Sequence, residues 1–330
     1  MTEKDPEQAG RTGGSKAWIV FKICGTGAVL VLLGRHIWST WRGLAEYQWS
    51  VAPLMLCAAF VLRVLAMSYS GIVWALQVRR ADITASTTRV AAGALLSRLG
   101  KYIPGKVWAV MGRGYFLSQE GPAVSSAMSL SALSQAVVVM SGLLWAIPVI
   151  PLVTGMPPWM PAVLATIPLL GLGVLHPSVL EWASAPVLRL LKRPPLRLNL
   201  SFADVIYWLL LAMTRKIPGG LAFCAFVAAL VDISWFQVPL LICIAAAAGV
   251  SGLLAVFAPG GLGIREGVLI LLLSDIIGPE SAIVVALGWR LWTASVELLC
   301  AGGAWAWLQW SDISLDEAPA EAQGSSASVK

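Results

Sequence analysis

The sequence predicts an all-α protein, a polytopic membrane helical bundle of about eight transmembrane helices with one re-entrant helical hairpin. Its composition is the first observation behind this prediction: 58% of the 330 residues are hydrophobic and only 12% are charged, whereas soluble domains carry about 25% charged residues. The second is that apolar runs long enough to cross a bilayer recur along the chain. The third is that one segment of intermediate polarity has a Pro-Gly pair at its centre.

The apolar runs give the predicted spans. A bilayer core of about 30 Å needs roughly 20 apolar residues in a helix. Such runs lie near residues 17–38, 51–76, 123–150, 158–175, 204–230, 234–257, 262–278 and 281–309, and together they predict one transmembrane domain, 17–310. We expect the run at 17–38 to be a first span, because no small-x-small cleavage pattern follows it. The polar residues 1–16 and the Ser/Ala-rich residues 311–330 predict disordered cytoplasmic tails.

The distribution of basic residues predicts the orientation of the spans. Segments 77–89 and 176–204 are rich in Arg and Lys, which places both in the cytoplasm by the positive-inside rule. The short turns 151–157, 231–233 and 275–280 together contain Asp232, Asp275 and Glu280 but no Lys or Arg, so they are expected on the outer side. Both termini then fall in the cytoplasm.

Several function classes are disfavoured by what the sequence lacks. The net charge of +6 does not predict nucleic-acid binding, because the basic residues are spread over short loops without a recognition motif. Five Cys without a CxxC pair and two isolated His predict neither a disulfide framework nor a metal centre. Walker A, HExxH and GxSxG patterns are missing. We therefore expect no cofactor, no metal and no enzymatic activity.

Residues 90–118 do not fit a simple span. Basic residues surround a central Tyr102-Ile103-Pro104-Gly105, namely Arg98, Lys101, Lys106 and Arg113. Roughly thirteen residues on each side of Pro-Gly give half-helices of about 20 Å, too short to cross the membrane. This pattern predicts a re-entrant helical hairpin that enters from the cytoplasmic side. An amphipathic hairpin on the membrane surface is the alternative.

The same segment offers a candidate phosphate site. A half-helix that begins at Pro104-Gly105 would direct free N–H groups and its positive dipole end at a ligand. Pro suits the first helical turn, and Gly lets a ligand approach the backbone. With Arg98, Lys101, Lys106 and Arg113 nearby, an anionic lipid headgroup or a pyrophosphate would fit. Alternatively, these basic side chains extend to cytoplasmic headgroups.

A second unusual segment, 257–267, combines a Pro259-Gly260-Gly261 breaker with Gly263 and the adjacent pair Arg265-Glu266. Freed backbone groups and charges are costly in lipid and are tolerated where they line a wet cavity or lie inside protein. The segment therefore predicts half of a substrate site. Gly263-xxx-Gly267 is expected to permit close helix packing.

Two acids are predicted at membrane depth, each with a basic neighbour in sequence. Glu266 follows Arg265, and Glu297 lies two helical turns after Arg290 on the same helix face. We expect these groups to face inward and to pair with each other or with a polar substrate. A purely structural ion pair that fixes helix packing is the alternative.

A Pro-Gly pattern recurs at 101–106, 215–220 and 258–261. Paired Gly/Pro-interrupted segments are typical of transporter sites, so this echo suggests internal pseudo-symmetry. Arg215 and Lys216, which precede the second copy, either extend the anion site or mark a helix kink.

The segments Gly100-Lys101-Tyr102-Ile103-Pro104-Gly105-Lys106-Val107-Trp108 and Pro259-Gly260-Gly261-Leu262-Gly263-Ile264-Arg265-Glu266-Gly267 resemble the lysylphosphatidylglycerol synthase transmembrane region. That region is the flippase portion of the multiple peptide resistance factor, and the resemblance covers roughly residues 17–309. It implies a multi-pass protein of the bacterial inner (plasma) membrane that moves lipids between leaflets, a stand-alone member without the aminoacyl-transferase domain. The implied partners are anionic or phosphate-bearing membrane lipids and enzymes of a glycolipid or envelope pathway.

The leading expectation is thus a translocase for an anionic phospholipid, glycolipid or polyprenyl-linked lipid. Its expected substrate-binding residues are Arg98, Lys101, Pro104, Gly105, Lys106, Arg113, Pro259, Gly260, Gly261, Gly263, Arg265, Glu266, Arg290 and Glu297. One alternative is a non-transporting accessory subunit of an envelope lipid or polysaccharide assembly pathway. Another is an integral-membrane lipid transferase. The sequence leaves the lipid, the energy source and the oligomeric state open.

Overall fold

The computed structural model describes residues 51–102, 107–152, 157, 159–176, 178–179, 200–255, 258 and 261–316. Within these residues all regular secondary structure is helical, which confirms the all-α prediction. The α-helices are α1 (Pro53–Arg80), α2 (Thr87–Ser97), α3 (Trp108–Ser118), α4 (Val124–Ala146), α5 (Met160–Val174), α6 (Phe202–Thr214), α7 (Lys216–Ala228), α8 (Val238–Leu254), α9 (Ile264–Ile277) and α10 (Pro279–Asp316). Short 3₁₀ segments occupy Arg98–Tyr102, Ile147–Leu152 and Trp235–Gln237.

Five helical segments of the described chain are long and apolar enough to cross a membrane: Pro53–Arg80, Val124–Pro151, Phe202–Ala228, Trp235–Leu254 and Pro279–Ser311. They coincide with the spans predicted near 51–76, 123–150, 204–230, 234–257 and 281–309. Such a set of helices is compatible with a multi-pass membrane protein.

The other predicted spans are not confirmed. Helices α5 and α9, at 158–175 and 262–278, have 15 and 14 residues. At 1.5 Å per residue they are roughly 21–22 Å long, shorter than a bilayer core of about 30 Å. The predicted span 17–38 lies outside the described residues, as do the tails 1–16 and 317–330.

Helix α10 runs further than the sequence analysis predicted. It continues to Asp316, so the assignment of residues 311–316 to a disordered tail is wrong. Between Gly303 and Pro319 the sequence contains no Gly or Pro that would end the helix.

Large apolar side chains cover the outer surface of the bundle. Leu54, Leu170, Leu271 and Leu291 are 76%, 71%, 62% and 71% exposed. Soluble monomers rarely expose contiguous apolar patches of more than a few hundred Å². The interior holds a separate apolar core to which α7, α8, α9 and α10 contribute; Phe223, Ile244, Leu273 and Ile283 are at most 1% exposed there. The distribution of apolar residues on both sides of the helices is compatible with a bundle surrounded by lipid.

Helices α2 and α3 form an antiparallel hairpin with glycines at the contact. A Cβ at Gly93 would lie 2.5 Å from the Cβ of Phe116, and one at Gly112 would lie 3.2 Å from the Ser97 hydroxyl. Glycine therefore permits the two backbones to approach closely. The hairpin packs against α1 and α10. Its helices have 11 residues each and its tip residues 103–106 lie outside the described residues.

Helices α8 and α9 make a second close approach, through Gly252 and Gly261. Gly261 has a φ of +72°, and a Cβ there would lie 2.7 Å from the Gly252 Cα. At Gly267 an added Cβ meets no atom within 4 Å. The predicted packing role of Gly267 is therefore wrong, because the close contact is made by the turn before α9 and not by the helix itself.

This geometry separates two glycine substitutions that look similar in the sequence. We expect Gly261→Ala to lower the free energy of unfolding by about 1–3 kcal/mol, because a left-handed backbone and a steric clash combine there. Gly267→Ala should be neutral or stabilise helix α9 by up to about 1 kcal/mol. Thermal unfolding of the two variants in detergent tests this, and equal melting temperatures for Gly261→Ala and wild type would contradict it.

Two contacts define the ends of the bundle. The Arg80 guanidinium lies 2.7 Å from the carboxylate of Asp204, which joins the end of α1 to the start of α6. The N–H of Ala52 donates to the carbonyl of Ala229 at 2.9 Å, which joins the start of α1 to the end of α7. The basic segment 77–89 and the described end of segment 176–204 therefore lie at the same end of the bundle.

Candidate functional site

Basic side chains from six helical segments converge in the interior of the bundle. We call the following set the cationic cluster: Arg63, Arg98, Lys101, Arg113, Arg215, Lys216, Arg265 and Arg290, with the acids Glu266 and Glu297. Its level along the bundle follows from helix geometry. Ser70, which contacts the cluster, lies roughly 15 Å from the end of α1, and Glu297 lies roughly 21 Å from Ser311, the end of its apolar segment. The cluster is thus midway along long apolar helices.

Glu297 on α10 is the main acceptor of the cluster. The amine of Lys101 lies 2.6 Å from one carboxylate oxygen and 2.5 Å from the other. The hydroxyl of Tyr102 donates to Oε2 at 2.7 Å, and a guanidinium nitrogen of Arg63 lies 3.4 Å from Oε1. The Glu297 residue is only 2% exposed. One buried carboxylate therefore joins α1 and the 3₁₀ segment after α2 to α10.

Glu266 on α9 is the second buried acid, 3% exposed. Its Oε2 accepts the N–H of Gly263 at 2.7 Å, the arrangement by which an acid in the first helical turn caps the helix start. Its Oε1 lies 3.4 Å from a guanidinium nitrogen of Arg290. Gly263 has a φ of +81°, which brings its N–H back toward this side chain. The capped turn fixes Arg265 and Glu266 beside α10.

The charged groups pair with each other across helices, but not with their neighbours in the sequence. Among the described residues, neither Arg265 with Glu266 nor Arg290 with Glu297 forms an ion pair. Adjacent helical residues do not face each other, and residues seven apart are roughly 10 Å apart along the axis. Arg290 instead pairs with Glu266 across the α9–α10 contact and lies over the Tyr102 ring at 5.9 Å.

Arg98 and Arg215 converge on one neutral group. A guanidinium nitrogen of Arg98 donates to the Ser70 hydroxyl at 2.6 Å, and one of Arg215 donates to the same oxygen at 3.2 Å. Ser70 is 6% exposed. A hydroxyl has lone pairs for two donors but no charge to offset theirs. The repulsion between the two guanidinium groups is therefore not compensated at this point.

Three further cations complete the arrangement. Arg113 donates to the Gln135 side-chain oxygen at 2.9 Å and lies 5.2 Å from the centre of the Trp74 ring, so its partners are neutral. Lys216 and Arg265 have no hydrogen bond or ion pair with any described residue, and they repel each other electrostatically. Arg265 is also within electrostatic range of both Glu297 and Glu266.

The cluster has a large formal charge imbalance. Eight cations face two carboxylates, an excess of six positive charges among the described residues. The Nε of Arg63 is buried without a hydrogen-bond partner in the described structure. Burying unpaired charge costs several kcal/mol per group. An anion with several oxygen atoms would offset this cost, and guanidinium groups bind phosphate oxygens in a bidentate fashion.

The structure brings most predicted site residues together. Arg98, Lys101, Arg113, Arg265, Glu266, Arg290 and Glu297 all belong to the cluster, with Gly261 and Gly263 at the turn before α9. The predicted residues Pro104, Gly105, Lys106, Pro259 and Gly260 lie outside the described residues. Arg215 and Lys216 were left open by the sequence between an anion site and a kink. They belong to the cluster and lie where α6 ends and α7 begins.

The substrate-binding residues expected from the sequence omit four contributors. Arg63 is recognisable from the sequence as an intramembrane or edge cation, since it is the one charged residue in the first 26 residues of helix α1. Tyr102 was part of a noted motif, but its hydroxyl was not assigned a role. Ser70 and Gln135 carry no signal, because neutral polar residues are common in membrane helices.

Comparison of the chain with models of known protein families gives no match, and comparison with curated proteins gives none.

Proposed function

We propose that the chain is an integral membrane lipid translocase, flippase-like, that moves a phosphate-bearing anionic lipid between leaflets. One observation carries the proposal: among the described residues, an excess of six positive charges lies inside the bundle, on partly buried side chains midway along apolar helices. A membrane lipid can bring its phosphate to this level while its hydrocarbon chains remain in the bilayer. A soluble anion would need an aqueous path to the same place.

The proposal assigns a role to the α2–α3 hairpin as a re-entrant element. Each of its helices has 11 residues, roughly 16 Å, which is about half of a bilayer core. The hairpin follows the basic segment 77–89, which the positive-inside rule places in the cytoplasm. Lys101 and Tyr102, near its tip, reach Glu297 in the middle of α10. A hairpin that dips halfway and returns accounts for these distances.

The resemblance to the lysylphosphatidylglycerol synthase transmembrane region supports the same proposal. The two segments that carry the resemblance lie far apart in sequence, yet Lys101 and Tyr102 from the first are within electrostatic range of Arg265 from the second. Under this proposal the protein is a multi-pass protein of the bacterial inner membrane with cytoplasmic termini. The helix pairs α2–α3 and α8–α9, each of which has a Pro-Gly sequence between its helices, are then pseudo-symmetric halves of one site.

The acids of the cluster explain how the site stays folded without a ligand. Glu297 holds Lys101 and Arg63, and Glu266 holds Arg290. Among the described residues, no carboxylate lies within ion-pair distance of the other five cations, namely Arg98, Arg113, Arg215, Lys216 and Arg265. We assign the lipid phosphate to these unneutralised cations, and structural neutralisation to the two acids.

A leaflet-accessibility assay in sealed proteoliposomes tests the proposal. We expect wild type to expose fluorescent phosphatidylglycerol to a membrane-impermeant quencher faster than empty vesicles do. Arg265→Gln should slow this movement about tenfold or more, because one charge-assisted contact is worth about 1.5–3 kcal/mol. Arg79→Gln, at the exposed end of α1, is the matched control and should behave like wild type.

The alternatives give different results in this assay. No movement by wild type with phosphatidylglycerol, phosphatidic acid or a polyprenyl phosphate would overturn the translocase and favour an accessory subunit. A covalently changed lipid from detergent-purified protein and a donor would instead indicate a transferase. Equal rates for wild type and Arg265→Gln would exclude this site as the route.

A further inference from the structure

A shallow groove opens on the outer surface of the bundle where α1 meets the break between α6 and α7. Its volume is about 490 Å³. Its lining comes from one face of α1 and from both sides of the break, namely Leu65, Ser68, Tyr69, Ile72, Thr214, Ile217 and Pro218. Leu65, Ile72 and Ile217 are 56%, 45% and 42% exposed, so the walls that face outward are apolar.

The groove borders the part of the cationic cluster that no carboxylate neutralises. Tyr69 directly precedes Ser70, and Thr214 directly precedes Arg215. The hydroxyls of Tyr69 and Thr214 lie 2.8 Å apart and connect the two sides of the groove. Ser70, on the inner side of α1, accepts from Arg98 and Arg215. On α1 and at the α6–α7 break, the residue that lines the apolar groove is therefore followed directly by a residue of the arginine site inside the bundle.

We propose that this groove holds a hydrocarbon chain of a lipid whose phosphate binds Arg98 and Arg215 in place of the Ser70 hydroxyl. The inference rests on the proposed function and deepens it. It names the substrate class as a lipid with an accessible phosphate and gives the route as lateral entry from the bilayer between α1 and the α6–α7 break. The phosphate oxygens replace a neutral acceptor with a charged one, and both guanidinium groups retain a partner.

The apolar groove and the two arginines beside it together favour a lipid as the occupant. A helix of a partner protein would offer apolar side chains but backbone groups that are already hydrogen-bonded and carry no net charge. Free phosphate would satisfy the arginines but not the apolar groove. A phosphate attached to a hydrocarbon chain satisfies both parts at once. Among the described residues, no carboxylate lies within ion-pair distance of Arg98 or Arg215, so the charge is open to a ligand.

Photo-crosslinking of the full-length purified protein in detergent tests the inference. The probe is phosphatidic acid with a diazirine in the middle of one acyl chain, and diacylglycerol with the same chain is the phosphate-free control. Labelled peptides are identified by mass spectrometry. We expect phosphatidic acid to label 65–72 and 214–218 at least about tenfold more than diacylglycerol does, as a charge-assisted phosphate contact predicts. The two probes should label the exposed surface around Leu291 of α10 equally.

Two pairs of variants separate a specific site from general coating by lipid. Arg215→Gln should reduce groove labelling by phosphatidic acid about tenfold, whereas Arg79→Gln should not. Ser68→Trp fills the groove and should exclude the chain, whereas Leu271→Trp on the exposed face of α9 should not. If Arg215→Gln unfolds the protein, Ser68→Trp still tests the groove independently of the cluster.

The contrary outcomes are distinct. Equal labelling by the phosphatidic acid and diacylglycerol probes would overturn the inference. If inorganic phosphate competed with the photoprobe as well as unlabelled phosphatidic acid does, the site would be one for free phosphate. That result would also overturn the inference. Lipid movement in proteoliposomes without groove labelling would refute the groove and leave the translocase standing. Groove labelling without movement would support the binding site and refute translocation.

Discussion

Glu297→Ala is expected to lower the free energy of unfolding by about 3–5 kcal/mol, the largest stability change of any single substitution in the site. Glu297 is 2% exposed and is the only described carboxylate within ion-pair distance of Lys101 or Arg63. Its loss would leave two buried cations without an anion in a cluster that already has too many cations. Thermal unfolding in detergent, followed by circular dichroism, measures the change.

The control for this prediction lies in the same helix. Glu280, near the start of α10, has no ion pair with a described residue, so Glu280→Ala should change the melting temperature little. The double variant Lys101→Ala with Glu297→Ala should be less destabilised than the sum of the two single variants, because removing the cation also removes its unpaired charge. Wild-type stability of Glu297→Ala would show that the carboxylate does not hold the cluster together.

Arg98→Gln, unlike Glu297→Ala, should not destabilise the protein in the absence of lipid. Arg98 repels Arg63, Lys101, Arg113, Arg215 and Lys216, which outnumber the one carboxylate that attracts it, Glu297, and its hydrogen-bond acceptor is a neutral serine. Its replacement relieves repulsion, so the melting temperature without lipid should equal or exceed that of wild type. The variant should differ from wild type when lipid is added. A ligand at about 100 times its Kd stabilises wild type by about 2.7 kcal/mol, and Arg98→Gln should lose most of this gain.

The measurement for this second prediction is the melting temperature of both proteins with and without phosphatidic acid in the same detergent. Arg79→Gln, which removes the same charge from an exposed position, should retain the full lipid-dependent shift. An undiminished shift in Arg98→Gln would exclude this arginine from the anion site. Without lipid, a loss of stability in Glu297→Ala and no loss in Arg98→Gln are what a cluster with excess positive charge predicts.

The sequence predicted the apolar architecture better than the helix lengths. Hydropathy located five helices that can cross a membrane. It could not show that α9 is short, because the apolar run 262–278 includes residues that do not continue the helix. Gly263 and Gly278 have φ values of +81° and +82° and enclose α9 at its two ends. A hydropathy window counts glycine as apolar, but its left-handed backbone ends the helix.

The identity of the charged site residues was also predictable, but their partners were not. A charge in a long apolar run is unusual enough to be noticed, which is why Arg265, Glu266 and Glu297 were singled out. Pairing depends on which helices touch, and the partner of Glu297 comes from a 3₁₀ segment almost 200 positions earlier in the chain. Ser70 illustrates the limit, since nothing in the sequence marks a serine as the meeting point of two arginines.

The break between α6 and α7 has a mechanical consequence. Pro218 has no N–H to donate to the carbonyl of Thr214, so the rod formed by the successive helices α6 and α7 lacks one backbone hydrogen bond at this level. Bending there costs less than elsewhere along the same rod, so a change in the angle between α6 and α7 would be centred near Arg215. Thr214 and Pro218 line the groove on either side of this break. The angle between α6 and α7 would therefore set both the width of the groove and the position of the Arg215 guanidinium. A molecule that binds in the groove more tightly at one angle would then also fix the position of this charge.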